Sequence, residues 1–191
     1  MMKVGVLGLQ GDVSEHLEAL EKLGAKGAWV KDLASLAEAE ALIIPGGEST
    51  TIGRLLEESW LFEMVQQRAK GGMPIFGTCA GLILLAKEAG EQARQTGQRL
   101  LGLMDMEVDR NAFGRQRESF EQPIEINGLG QFPGVFIRAP AIRKVFGKCE
   151  ALAQLDGRII AARQGKLLAT AFHPELTGDL RLHRYFLEQV Y

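Results

Sequence analysis

Residues 73–86 read Met-Pro-Ile-Phe-Gly-Thr-Cys-Ala-Gly-Leu-Ile-Leu-Leu-Ala. An apolar strand is expected over 73–77. It enters a turn with glycines at 77 and 81, and an apolar helix is expected over 80–88. Neither element shows a polar face at its centre, which is the pattern of a parallel sheet covered by helices on both sides. The alternation extends backwards. Residues 3–9 form an apolar run ended by Gln10-Gly11, after which Asp12 stands at an N-cap position with Glu15 as its reciprocal partner. Val13, Leu17, Leu20 and Leu23 follow at helical spacing, and Gly24 stops the helix. Strands are expected at 27–30 and 41–44, and helices near 50–58 and 61–70. Beyond residue 100 the texture changes to strands at 104–109, 118–126, 134–137, 144–146, 158–163 and 167–171, joined by Gly- and Pro-bearing turns. A last helix is expected over 179–190. The fold class this predicts is α/β: one domain over residues 1–191 with an open, mostly parallel twisted sheet, helices on both faces and a small antiparallel extension.

Composition narrows the classes of function. The 191 residues carry 22 Lys plus Arg against 24 Asp plus Glu, a formal charge of −2, which gives no electrostatic footprint for nucleic acid or an anionic membrane. No apolar run approaches the ~18 residues of a membrane span, and the amino terminus reads as a first strand and not a signal peptide. Two cysteines, Cys79 and Cys149, make neither a disulfide framework nor a thiolate zinc site. A cytoplasmic chain without metal or cofactor is expected. Glycine is in excess, at 23 of 191 residues, about 12% against a usual ~7%.

Three constellations could carry chemistry. Gly77-Thr78-Cys79-Ala80-Gly81 is a Gly-x-nucleophile-x-Gly elbow with Cys at its centre. Such a turn lifts the sulfur above the sheet edge at a helix N-terminus, where free N–H groups favour a thiolate. A cysteine in a glycine-rich turn is often merely a small buried residue; the paired glycines and the strand–turn–helix context favour the elbow. Thr170-Ala171-Phe172-His173-Pro174-Glu175 follows an apolar strand. Pro174 restricts His173 to extended backbone, and Glu175 can accept from its imidazole. Taken alone, His-Pro-Glu is an ordinary loop; with the elbow it completes a Cys–His–Glu triad. His16, in the first turn of the first helix, and His183, between Arg181 and Arg184 in the last, are expected at the surface. The third constellation, residues 43–50, reads Ile-Ile-Pro-Gly-Gly-Glu-Ser-Thr at another strand end. Its glycines expose N–H groups suited to an oxyanion, with Ala80 N–H as the second donor. All three lie at carboxyl ends of predicted strands, where open α/β sheets build their sites.

Together these motifs resemble the triad-type glutamine amidotransferases. The fuller resemblance is to the family of glutaminase subunits of pyridoxal 5′-phosphate synthase. It is carried by Gly-Val-Leu-Gly-Leu-Gln-Gly at 5–11, Pro-Gly-Gly-Glu-Ser-Thr at 45–50, Gly-Thr-Cys-Ala-Gly at 77–81, Arg-Asn-x-Phe-Gly-Arg-Gln at 110–116, Gly-Val-Phe-Ile-Arg-Ala-Pro at 134–140 and Phe-His-Pro-Glu-Leu at 172–176. The resemblance implies a flavodoxin-like, class I glutamine amidotransferase fold. It implies Cys79 as nucleophile, His173 as base and acid, and Glu175 as the residue orienting His173. Gly47 and Ala80 would form the oxyanion hole. L-glutamine would be held by Gly47, Glu48, Ser49, Arg110, Ile137 and Arg138. It further implies ammonia transfer to a synthase subunit in a hetero-oligomer, and a glutaminase that idles until docked, with a Gly46-Gly47 peptide that must rotate. Gln10 and His16 are the residues expected to sense that partner. Two other classes stay open on the residues alone: a thiol hydrolase acting on peptides or γ-glutamyl bonds, and a non-catalytic binding relative. Cys149 has no companion motif and is expected to be structural.

Overall fold

A computed structural model describes residues 2–113 and 119–190. In chain order its first half runs β1 (Lys3–Leu7), α1 (Val13–Lys22), β2 (Lys26–Val30), α2 (Leu33–Ala37), β3 (Ala41–Ile44), α3 (Ser49–Glu58), α4 (Leu61–Lys70), β4 (Ile75–Thr78) and α5 (Ala80–Leu85). The second half runs β5 (Ala86–Glu88), α6 (Gly90–Gln95), β6 (Met104–Asp109), β7 (Ser119–Ile126), β8 (Gly130–Ile137), β9 (Ala141–Val145), β10 (Glu150–Leu155), β11 (Arg158–Gln164) and β12 (Leu167–Thr170). A 3₁₀ turn at Pro174–Leu176, α7 (Arg181–Tyr185) and a π-helical turn at Phe186–Val190 follow.

The parallel part of the sheet has the order β2-β1-β3-β4-β12. This is the doubly wound α/β arrangement, with strand order reversing next to β1. From β12 the sheet continues antiparallel through β11, β10, β7 and β8, while β9 links β11 to β6 and β5. The expected mostly parallel sheet with an antiparallel extension is thus present. β3 and β4 are buried along their whole length, as strands covered on both faces must be. Phe76, Phe132, Phe136, Phe172 and Phe186 fill the largest fully buried volumes. No helix among the described residues is long and apolar enough to cross a membrane.

Several boundaries differ from expectation for physical reasons. The helix expected over 80–88 ends at Leu85, because Ala86 turns into a strand paired with Met104. α2 was not expected; Asp32 starts it with a capping box to Ser35. β10 was missed as well, since its Glu-Ala-Leu-Ala-Gln-Leu sequence has little strand preference and its pairing with β11 is bulged. The strand expected at 118–126 begins at Ser119, residue 118 lying outside the described residues. The last helix is split into α7 and the π-helical turn.

The turn at 77–81 explains its glycines. A Cβ at Gly77 would stand 2.6 Å from the Gly81 carbonyl carbon, and one at Gly81 would overlap the Ile44 carbonyl oxygen. Both contacts are with backbone and cannot rotate away. Gly81→Ala is therefore expected to lower stability by about 1–3 kcal/mol, the usual cost of overpacking. Urea unfolding monitored by circular dichroism checks this; an unchanged midpoint would show that α5 and β3 can separate freely.

Candidate active site

Cys79 sits between β4 and α5 with φ 48° and ψ −97°, a strained conformation for a residue with a Cβ. Its N–H donates to the Thr170 carbonyl at 2.8 Å, tying the elbow to the end of β12. Its Sγ lies 3.9 Å from the Ile137 carbonyl oxygen. His173, three residues past β12, has φ −106° and ψ 87°, short of the fully extended backbone expected before proline because the chain already turns into the 3₁₀ segment there, and its N–H donates to the Val135 carbonyl at 2.8 Å. Pro174 opens the 3₁₀ turn, which brings Glu175 back beneath the imidazole. His173 Nδ1 and Glu175 Oε1 are 2.7 Å apart and buried. A carboxylate on Nδ1 requires a hydrogen there, which leaves Nε2 for the thiol side.

Electrostatics agree with a proton-transfer role. Burial pulls the His173 imidazole down, but interaction with Cys79 and then Glu175 overrides it and pushes it up to about 10. Burial raises the Glu175 carboxyl, and His173 opposes that rise. Asp12 also reaches the site, its Oδ2 standing 3.5 Å from His173 Nδ1. Asp12, His173 and Glu175 could in principle share a cation, but Nδ1 is already engaged by Glu175.

The 45–50 loop closes one wall. A Cβ on Gly46 would overlap His173 Cε1, so glycine is what lets the loop lie against the ring. The Gly46 carbonyl accepts from Asp12 N–H at 3.2 Å, and Glu48 N–H donates to Gln10 Oε1 at 2.8 Å. Gln10 thus holds the loop to the end of β1. The Glu48 carboxylate caps α3 through Thr50 N–H and Thr51 N–H, and it pairs with Arg110 Nη2 at 3.4 Å. Ser49 is buried, and its Oγ has no hydrogen-bond partner among the described residues. Ile137, at the end of β8, is partly exposed, and Arg138 follows it with φ 43°. Of the 110–116 motif, residues 114–116 lie outside the described residues.

A family model described as the SNO glutamine amidotransferase family matches residues 6–191. The chain belongs to that family. Among curated glutamine amidotransferase relatives, the pyridoxal 5′-phosphate synthase subunit PdxT of Herpetosiphon aurantiacus is 60% identical over 189 residues, 97% of this chain and 99% of the relative. The PdxT subunit of Pelotomaculum thermopropionicum is 56% identical over 190 residues, 98% of this chain and 95% of the relative. A crystal structure described as a glutamine amidotransferase superposes with a TM-score of 0.92 at 52% identity, covering 98% of each chain.

Within this glutamine amidotransferase, three side chains stand elsewhere than expected. His16 and His183 are fully buried, not at the surface. Their places on the apolar stripes of α1 and α7, next to Val13 and Leu20 and to Leu182 and Phe186, carried the signal. Asp12 occupies the N-cap position of α1, yet its side chain makes no capping hydrogen bond; it faces His173. Cys149 is buried, and burial pushes its thiol up to about 11, in keeping with a structural residue.

The raised His173 value has a sign that can be tested. The folded chain keeps a proton there that the unfolded chain releases near 6.5, so this stability is intact below about pH 6.5 and lost as pH rises toward about 10. Urea midpoints measured across that window should fall more steeply for the wild type than for His173→Gln. Parallel slopes would show that the imidazole is not held protonated.

Proposed function

We propose that this chain is the glutaminase of a pyridoxal 5′-phosphate synthase, releasing ammonia from L-glutamine through Cys79, His173 and Glu175. The observation that carries the mechanism is the strained Cys79 elbow beside an imidazole whose Nδ1 is held by Glu175 at 2.7 Å. The assignment of the synthase follows the names of full-length relatives at 56–60% identity.

The proton shared by Cys79 and His173 rests on the imidazole, and the sulfur attacks the side-chain carboxamide carbon of glutamine. The tetrahedral oxyanion is held by the N–H groups of Gly47 and Ala80. Ala80 is the first residue of α5, and its N–H has no intrahelical acceptor. His173 then gives its proton to the departing ammonia, leaving a thioester. Next it takes a proton from water attacking that thioester, and glutamate leaves as the thiol is restored. Glu175 keeps the imidazole in the tautomer this shuttle needs.

Glutamine recognition uses opposite charges. Arg110 suits the α-carboxylate, Glu48 the α-ammonium, and Ser49 Oγ is a buried hydroxyl free to bond substrate. Ile137 and Arg138 form the facing rim. Ammonia passes to the synthase subunit in a cytoplasmic hetero-oligomer, and the 191 residues work as one domain without metal or cofactor. Gln10 grips Glu48 N–H, so movement of the β1–α1 turn on docking would release the Gly46-Gly47 peptide to aim an N–H at the oxyanion. Buried His16 would share in that sensing through α1 and not by direct contact.

The decisive experiment measures glutamate release with and without a synthase subunit. Strong stimulation is expected, with Cys79→Ala reducing the stimulated rate at least about 1,000-fold. Retained activity in Cys79→Ala would sink the mechanism, and full activity of the chain alone, or preference for γ-glutamyl peptides, would indicate a free-standing hydrolase. Arg110→Ala should raise the KM for glutamine about 10-fold or more with little change in kcat, as for a lost charge-assisted bond; an unchanged KM would remove Arg110 from the binding set.

A further inference from the structure

Behind the triad lies a second pair of ionisable rings that the mechanism leaves unused. His16 Nδ1 and His183 Nε2 are 2.9 Å apart, and both residues are fully buried. The other nitrogen of His16, Nε2, lies 3.3 Å from Thr78 Oγ1 and 3.6 Å from Glu175 Oε2. That carboxylate oxygen is buried without a hydrogen-bond partner, whereas Oε1 is taken by His173. Burying two imidazoles on the apolar stripes of two helices is costly, and apolar side chains would fill the space without that cost. The cost is explained if the pair supports Glu175.

Proton positions follow from the geometry. One hydrogen lies between the two rings. Placed on His16 Nδ1, it would leave a lone pair on Nε2 facing a carboxylate, and His183 Nδ1 would become a buried donor with no acceptor. Placed on His183 Nε2, it lets His16 Nε2 carry its own hydrogen toward Glu175 and Thr78. Only an acceptor, His183 Nδ1, then stays unpaired.

We propose, building on the glutaminase reading, that His16 is a positioning residue whose Nε2–H supports Glu175 Oε2, and that His183 fixes the His16 tautomer that makes this possible. The triad thus becomes a line running from Cys79 through His173, Glu175 and His16 to His183. The groups facing it are Asp12 and Cys79 at His173, Thr78 at His16, and Phe76 edge-on against both outer rings. Burial keeps the outer rings neutral: it pulls His183 down to about 4, and it pulls His16 well below its usual value with further help from His183. A neutral donor can support the carboxylate without competing with His173 for its charge.

The test compares His16→Leu, which removes the donor, with His16→Gln, which returns an amide N–H near the position of Nε2. In His16→Leu, Glu175 holds its charge less well and the imidazolium loses support. The His173 ring titration, followed by NMR of the full chain, is expected to fall by about one pH unit or more. With the synthase subunit present, kcat should drop about 10- to 100-fold at a nearly constant KM. His16→Gln should recover most of both. A His173 titration unmoved in His16→Leu, or a His16→Gln as impaired as His16→Leu, overturns the proposal. If His16→Leu does not fold, His183→Leu serves in its place: lowered His173 titration there, with His16→Gln near wild type, supports the proposal, and the opposite order overturns it. A wild-type chain that releases no glutamate with any synthase subunit would defeat the glutaminase reading instead, while the NMR titrations would still decide the role of His16.

Discussion

The bond from Cys79 N–H to the Thr170 carbonyl is the constraint on which the site depends. It extends the parallel pairing of β4 and β12, in which Thr78 stands opposite Thr170, one residue past the end of β4. The nucleophile and the base belong to chain segments far apart in sequence, and this one ladder sets them side by side. The elbow can bend so sharply there because its glycines let α5 lie against β3. Strain at Cys79 persists only where the surroundings over-determine it, and a ladder on one side with a packed helix on the other does so.

Around that junction the charges are graded. A half-exposed Asp12 and a buried Glu175 converge on His173 Nδ1, while the far side of Glu175 faces a ring that burial keeps neutral. A carboxylate between a cation and a neutral donor keeps its charge directed at the cation. Two charged rings on one buried carboxylate would instead compete for it. The same economy appears at Glu48, which caps α3 and pairs with Arg110, so one carboxylate both starts the helix and fixes the guanidinium beside it.

The elbow and the His-Pro-Glu turn were legible in the sequence because backbone geometry favours particular residues there: glycine where a Cβ would strike a carbonyl, proline where the chain opens the 3₁₀ turn that carries Glu175. The parallel strands were legible because burial on both faces leaves no polar position. Asp12 was misread because an aspartate before a helix satisfies the capping pattern just as well as it serves a neighbouring imidazole, and only the distance to His173 separates the two. His16 was misread from its place in a first helical turn and His183 from its arginine neighbours, although Val13, His16 and Leu20 share one helical stripe. A polar ring on an apolar stripe has meaning only once its partner across the fold is known. β10 escaped notice because its strand character comes from neighbours and not from its own side chains.

The antiparallel extension between β4 and β12 has a consequence for how such a site can change. Cys79, His173 and Glu175, with the buried rings of His16 and His183 behind them, stand on the parallel strands and on the helices and turns around them. Arg110, Ile137 and Arg138 come from the inserted segment. The proposed triad thus lies wholly in the parallel part, whereas the proposed glutamine contacts are divided between its β3–α3 loop, with Gly47, Glu48 and Ser49, and the inserted segment. On the proposed reading, rim side chains of the inserted part can be exchanged without disturbing the strand ladder that sets Cys79 beside His173.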